Sequence, residues 1–254
     1  MNKAALSAES LDPRIQFYGE TGLLVQFDNT EALSAGDAVT VLNRHLLDLN
    51  LRGVEGTTPS YVSLLVIFDP CVIPGDRLAS ILTTLLERSG THLTSKSQAL
   101  RSPVWCLPTL FVGDSDEDAI ALQEELGRSW GQVVETFCEV SYKVSALGFL
   151  PGFTYLGGLP AELHCRRLAT PRLRIPSSSV AIAGQQAGIY PMDSPGGWRI
   201  LGRLPFAIFD QNRESPALFS PGDVITFEPV SELRFDELVR TADKGELNLD
   251  RFKQ

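Results

Sequence analysis

The chain is poor in the residues that build redox and metal chemistry. It has 4 cysteines and 3 histidines in 254 residues. Cys71, Cys106, Cys138 and Cys165 lie roughly 30 positions apart with no C-x-x-C pair, which excludes a zinc knuckle and a thioredoxin-type motif and reads as reduced thiols. A histidine metal site would need two of His45, His92 and His164 to converge. Positive charge is also scarce: 22 Lys and Arg face 31 Asp and Glu, a formal charge of −9. That excludes non-specific binding to nucleic acid, which needs a basic surface to displace counterions. Long apolar runs are missing too. The longest, Leu64 to Phe68, is far shorter than a membrane span, and Met1 to Pro13 is too polar for a secretory signal. Together these point to the cytoplasm.

What is present is an ordinary apolar content, 43%, over a length suited to two domains. Residues 1–100 read as a small α+β domain. Ile15–Tyr18 and Leu23–Phe27 flank a glycine turn and predict a hairpin. Val39, Leu42, Leu46 and Leu49 give helical spacing within Ser34–Leu49, Gly53 and Gly56 break the chain, Tyr61–Phe68 is a strand, and Leu78–Leu86 is helical again. The order is β-β-α-β-α. Thr91–Arg101 is polar and aperiodic and reads as a linker.

Residues 101–230 read as a mainly β domain. Val104–Leu110 opens it. Two helices follow, Glu117–Leu126 with a cap from Asp114, Ser115 or Asp116, and Trp130–Cys138 capped by Ser129. Val140–Leu147, Ser179–Ala183, Gly188–Tyr190, Trp198–Leu201, Phe206–Phe209 and Val224–Pro229 are the predicted strands. Many short strands with Gly/Pro turns mean a barrel or sandwich. Residues 231–254 read as a charged, loose tail with a short helix, Phe235–Arg240.

The segment Gly148–Arg203 has a different texture. It holds 9 of the 21 glycines and 6 of the 16 prolines. Gly148, Gly152, Gly184, Gly188, Gly196 and Gly197 allow close approach of backbone to another group. Phe149, Phe153, Tyr155, Tyr190 and Trp198 punctuate the turns. Residues 160–210 form a basic island whose cations are all arginines: Arg166, Arg167, Arg172, Arg174, Arg199 and Arg203. Arginine presents a planar fork that matches carboxylate or phosphate. Each feature also has a structural reading, as barrel corners, core filling and surface ion pairs. Jointly they suggest a pocket for a small anion. No P-loop, no Rossmann fingerprint and no G-x-S-x-G elbow occurs, so a nucleotide would be held by other loop chemistry.

The ordered blocks GF-x-PGF-x-YLGGLP, PR-x-x-IP-x-x-SVAIAG-x-Q-x-GIYP-x-x-SPGGW-x-x-LGR and LFSPGDVITF resemble the family formed by KipI and the B component of 5-oxoprolinase. This family is also called allophanate hydrolase subunit 1 and is related to half of a carboxyltransferase domain. The resemblance implies a cyclophilin-like β-barrel and a heteromer with a partner of the C-component type. It implies an ATP-dependent lactam hydrolase acting on 5-oxoproline, with Mg2+ as counter-ion to ATP, and inactive without that partner. Two other members' roles are implied as alternatives: inhibition of a sensor histidine kinase, as for KipI, and a part in a urea-carboxylase-like carboxyl transfer. The second would need a biotinylated carrier, and this chain has no biotinyl segment.

On that resemblance Arg172, Arg203 and Gln186 are the candidate catalytic residues. Ser179, Gly184, Gly188, Tyr190, Ser194, Gly196, Gly197, Trp198, Phe149 and Phe153 are the candidate substrate-binding residues. The barrel edges and the turn Phe149–Tyr155 are candidates for the partner contact. The chain departs from the family pattern at Phe137 (often His), Arg166 (Pro), Ser178 (Gly), Ala187 (Thr) and Leu204 (Thr), which removes an imidazole and two hydroxyls.

Overall fold

A computed structural model describes residues 13–27, 32–90 and 102–254. The polar N-terminus and the predicted linker Thr91–Arg101 lie outside these residues. The chain divides into two compact units at Arg101/Ser102. No helix among the described residues is long and apolar enough to cross a membrane.

The first unit has the order β1 (Arg14–Phe17), β2 (Gly22–Gln26), α1 (Ala32–Asp48), β3 (Val54–Ser60), β4 (Ser63–Phe68) and α2 (Gly75–Gly90). The strands form one antiparallel sheet in the order β1-β2-β4-β3. Alternate residues of β4 are buried, as a half-covered strand requires. Leu64, Val66 and Phe68 meet Val39, Leu42 and Leu46 of α1 and Leu78, Leu82 and Leu85 of α2 in one core. The sequence reading lacked β3. Gly56 sits at a register shift in β3, and Pro59 is tolerated because β3 is an edge strand.

The second unit comprises β5 (Val104–Phe111), α3 (Glu117–Leu126), α4 (Trp130–Cys138), β6 (Tyr142–Leu147), β7 (Thr154–Gly157), a 3-10 turn (Ala161–Leu163), β8 (Arg172–Ile175), β9 (Ser179–Ala183), β10 (Gln186–Ile189), β11 (Ser194–Gly196), β12 (Arg199–Arg203), β13 (Val224–Pro229), α5 (Glu232–Asp243) and a second 3-10 turn (Leu249–Phe252). Seven strands close a barrel in the order β10-β7-β6-β13-β5-β12-β9, and β8 and β11 form a separate two-stranded ribbon. Among the described strands only β5 and β13 pair in parallel.

The caps of the two helices match the residues that precede them. Asp116 caps α3 by accepting from the Asp118 N–H, and Gly127 ends it in the left-handed conformation at φ 64°. Ser129 and Gln132 form a reciprocal capping box on α4.

All five residues of β9 are buried, because both faces of the sheet are covered there. Val180 and Ile182 join the main core with Trp105, Leu107, Tyr142, Leu156, Leu201 and Phe227. Ala181 and Ala183 join a second cluster with Phe153, Ile175, Tyr190 and Trp198.

Two expectations for this unit are corrected. Phe206–Phe209 is not a strand; it makes one isolated bridge, Phe209 to Ala217. The C-terminal tail is not loose. α5 runs over Glu232–Asp243 with Phe235 and Leu238 buried, Phe252 stacks on Phe206 at 5.2 Å, and the Gln254 N–H reaches the Val104 carbonyl at 2.8 Å.

Asp223 is the buried carboxylate beside this barrel closure. It accepts from the Trp105 indole at 3.1 Å and from the Ser220 N–H at 3.0 Å. Burial raises its pKa above the ordinary 3.8, against the lowering effect of those two donors. The native state therefore binds this proton more tightly than the unfolded chain. The group's contribution to stability is greatest below pH 3.8 and is lost as pH rises through the folded value. Asp223→Asn keeps an oxygen acceptor and removes the titration. In urea unfolding followed from about pH 4 to 7, its stability relative to wild type is expected to rise with pH. An unchanged difference across the range would contradict this.

Candidate functional site

The site is built where α3, β8 and β12 meet. Asp118 stands in the first turn of α3 and is 1% exposed. A carboxylate at a helix N-terminus is favoured by the helix dipole. Arg172, the first residue of β8, grips it with both guanidinium ends: Nη1 to Oδ2 at 2.8 Å and Nη2 to Oδ1 at 2.9 Å. The Ile200 N–H from β12 donates to Oδ2 at 2.8 Å, and Arg199 Nη1 lies 3.5 Å from Oδ1. One carboxylate thus joins three elements. The Asp118 hydrogen bond is also the main cause of a raised Arg172 pKa.

Around this joint lies a cavity of about 490 Å³. Leu110, Phe111, Val112 and Ile200 give it an apolar wall. Asp116, Glu117, Arg174, Ser179 and Arg203 bring polar groups beside Arg172.

The arginines are not equivalent. Arg174 is committed to Asp193, with Nε and Nη2 at 2.7 and 2.6 Å from Oδ2. The Ser177 N–H, then Arg174, hold Asp193 below the ordinary carboxylate range. Arg166 pairs with Glu125, and Arg167 lies over Trp198 at 5.8 Å. Arg203 is exposed and stands 5.1 Å over the Phe235 ring, with no ion pair among the described residues.

Of the residues singled out from sequence, the cavity brings together Arg172, Arg203 and Ser179. Ser179 Oγ donates to the Pro176 carbonyl at 2.7 Å, so this hydroxyl is already engaged. Gln186 and Gly184 belong to the opposite end of β9: Ser179 pairs with Arg203, whereas Ala183 pairs with Gln186. Four residues of strand separate those ends by about 13 Å.

Phe153, Tyr190 and Trp198 are not among the residues that line this cavity. They are buried and meet edge to face, Phe153 to Tyr190 at 4.9 Å and Phe153 to Trp198 at 5.6 Å. Gly188 and Gly196 serve this cluster. A Cβ on Gly188 would lie 3.0 Å from the rings of Phe153 and Trp198, and one on Gly196 would lie 2.5 Å from the Tyr190 hydroxyl. Gly197 accepts from the Leu168 N–H, and Ser194 is buried with its hydroxyl unpartnered. Phe149 is 66% exposed, edge-on to Phe153.

The departures from the family pattern also fall largely in packing. Phe137 is fully buried against Tyr142 and Phe227, and Ala187 is in the main core. Ser178 takes a positive φ of 63°, and its hydroxyl bonds the Phe206 carbonyl.

Asp118 is the residue sequence reasoning missed. In the sequence it is one more acid in the first turn of the predicted helix Glu117–Leu126. Its partner lies 54 positions away, with no local signal linking the two. Among the described residues no group of three His, Cys, Asp or Glu is placed to hold a metal ion.

The family model described as carboxyltransferase domain, subdomain C and D, matches residues 13–219. The B component of 5-oxoprolinase from Escherichia coli O157:H7 is 34% identical over 222 residues, covering 86% of this chain and 97% of that protein. Among solved structures, TTHA0988 superposes with a TM-score of 0.71 at 32% identity over 83% of this chain, and this chain spans 40% of its length. The Kluyveromyces lactis urea amidolyase shares the fold, with a TM-score of 0.72 at 18% identity over 94% of this chain and 16% of its own.

Proposed function

The chain belongs to the family of carboxyltransferase domain subdomains C and D, and from that membership we propose that it is the B-type component of an ATP-dependent 5-oxoprolinase, working in a cytoplasmic heteromer with a C-type partner. The observation that carries this reading is 34% identity over 86% of this chain and 97% of a protein named as the B component of 5-oxoprolinase. The barrel unit would then be of the cyclophilin-like type.

The reaction needs two substrates. The γ-phosphoryl group of ATP passes to the lactam oxygen, giving ADP and an activated imidate. Water then adds to that carbon and the C–N bond opens, giving γ-glutamyl phosphate with a free α-amino group; a second water displaces phosphate from the acyl phosphate, giving glutamate. The chain's own residues supply position and charge. The unpaired guanidinium of Arg203 would face negative charge on a transferring phosphoryl group, and Arg172 would meet a substrate carboxylate. The apolar wall of Leu110, Phe111 and Val112 would limit water around them. The described residues offer no group of three His, Cys, Asp or Glu to hold a metal ion, and Mg2+ would travel with the ATP phosphates.

The test is reconstitution with the C-type partner and the third, A-type component, reading ADP released in the presence and absence of 5-oxoproline. Dependence on 5-oxoproline is expected, and Arg203→Ala is expected to lower turnover about tenfold or more. No 5-oxoproline dependence would overturn the assignment, and full turnover by the variant would remove Arg203 from the mechanism.

A further inference from the structure

The geometry points to one edge of Arg172, held in place by Asp118, as the seat of the substrate's carboxylate; this rests on the function proposed above and assigns a part of it to named atoms. A guanidinium carries five N–H groups in a plane. Two of Arg172's face Asp118 end-on, one on Nη1 and one on Nη2, at 2.8 and 2.9 Å. The other Nη1–H is directed toward the Trp198 carbonyl, 3.4 Å away. What is left is the Nε–H and the second Nη2–H. These two are parallel by the geometry of the group and lie on the same edge. No protein acceptor engages them among the described residues, and Arg172 lines the cavity.

A planar carboxylate matches such an edge with two parallel hydrogen bonds. Arg172 and Arg199 share the countercharge of Asp118, and Arg203 lines the same cavity opposite the acidic Asp116 and Glu117, so the match to a carboxylate rests on the geometry of the free edge rather than on net charge. Arg199 Nε is buried without a partner as well.

Asp118 is then a positioning residue. It touches no ligand, but it fixes the plane and rotation of the guanidinium that does, and its bond to the Ile200 N–H ties that plane to β12. The fork is committed on one side so that the other side is aimed. An arginine with both edges free would swing between orientations and lose side-chain entropy on binding.

The test compares wild type, Arg172→Lys and Asp118→Asn by calorimetric titration with 5-oxoproline, with its carboxamide and with inorganic phosphate, using the full chain alone and then with its partners. Wild type is expected to bind the acid about tenfold more tightly than the carboxamide, or better. Arg172→Lys keeps a cation beside Asp118 but has no edge, and is expected to lose that preference. Asp118→Asn is expected to lower it about threefold or more, with Asp118→Glu recovering part. A purely structural role would weaken both ligands equally and leave the ratio unchanged; that result overturns the inference. Should Asp118→Asn fail to fold, Arg172→Lys decides alone. If the acid is preferred as stated but no 5-oxoproline-dependent ADP release is found, the carboxylate seat stands and the reaction assignment falls. If wild type does not distinguish acid from carboxamide, or binds phosphate alone, the seat is wrong even where turnover is normal.

Discussion

Asp118→Ala is expected to lower the midpoint of thermal unfolding of the barrel unit by roughly 6–12 °C, from a loss of about 3 kcal/mol or more. The side chain is 2% exposed, and Arg172 and Arg199 lose their shared acceptor while the Ile200 N–H loses its bond. Leaving a desolvated cation without its counterion costs more than the pair itself contributes, because the burial has already been incurred. The double variant Asp118→Ala, Arg172→Met is therefore expected to recover part of the loss. Differential scanning calorimetry checks both, and a single variant within about 2 °C of wild type would show that the joint contributes little.

Gly202→Ala should be nearly as damaging for a different reason. A Cβ at Gly202 would lie 2.5 Å from the Leu110 carbonyl oxygen and 3.0 Å from the Phe111 Cα. Both are backbone atoms of β5, so no rotamer change relieves the overlap. The seam between β12 and β5 is short: Gly202 pairs with Phe111 and Arg203 with Leu110. Overpacking of this kind costs about 3 kcal/mol, or roughly 6–12 °C. Gly113→Ala, where a Cβ would meet nothing within 4 Å, is the control and is expected to be close to neutral. Equal midpoints for the two variants would refute the clash. Because the same residue lines the cavity, a folded Gly202→Ala chain is also expected to bind anions less well.

The chain shows where local pattern is informative and where it is not. α3 and α4 are legible because their caps are local chemistry: Asp116 and Gly127 bound α3, and Ser129 with Gln132 starts α4. β9 and β13 are legible as apolar or β-branched runs. β7 and β11 are not, since their short segments carry Gly and Pro, and β8 alternates Arg with apolar residues over only four positions, with Leu173 exposed. β3 is hidden by Gly56 and Pro59, which an edge strand can accept. The close approach expected of the glycine-rich stretch holds at Gly152, Gly188 and Gly196, where the approaching groups are aromatic side chains of the fold, whereas a Cβ at Gly148 or Gly184 would meet nothing within 4 Å. The arginine island was visible as composition. Which arginine is free depends on acids elsewhere in the chain, Asp118, Asp193 and Glu125, and only the fold assigns those partners.

The parallel pairing of β5 with β13 has a bearing on how the protein is made. Trp105 and Asp223, which bond across that closure, are 118 positions apart. On a ribosome adding about 5–20 residues per second, the opening strand would wait roughly 6–24 s for its last neighbour to be synthesised. Until β12 is made both sides of β5 are unsatisfied, and after it the β13 side remains so, a template for pairing with another nascent chain. Slowing translation just before Val224 is added would lengthen this window, and a chaperone that covers extended apolar segments is what the growing polypeptide would need there.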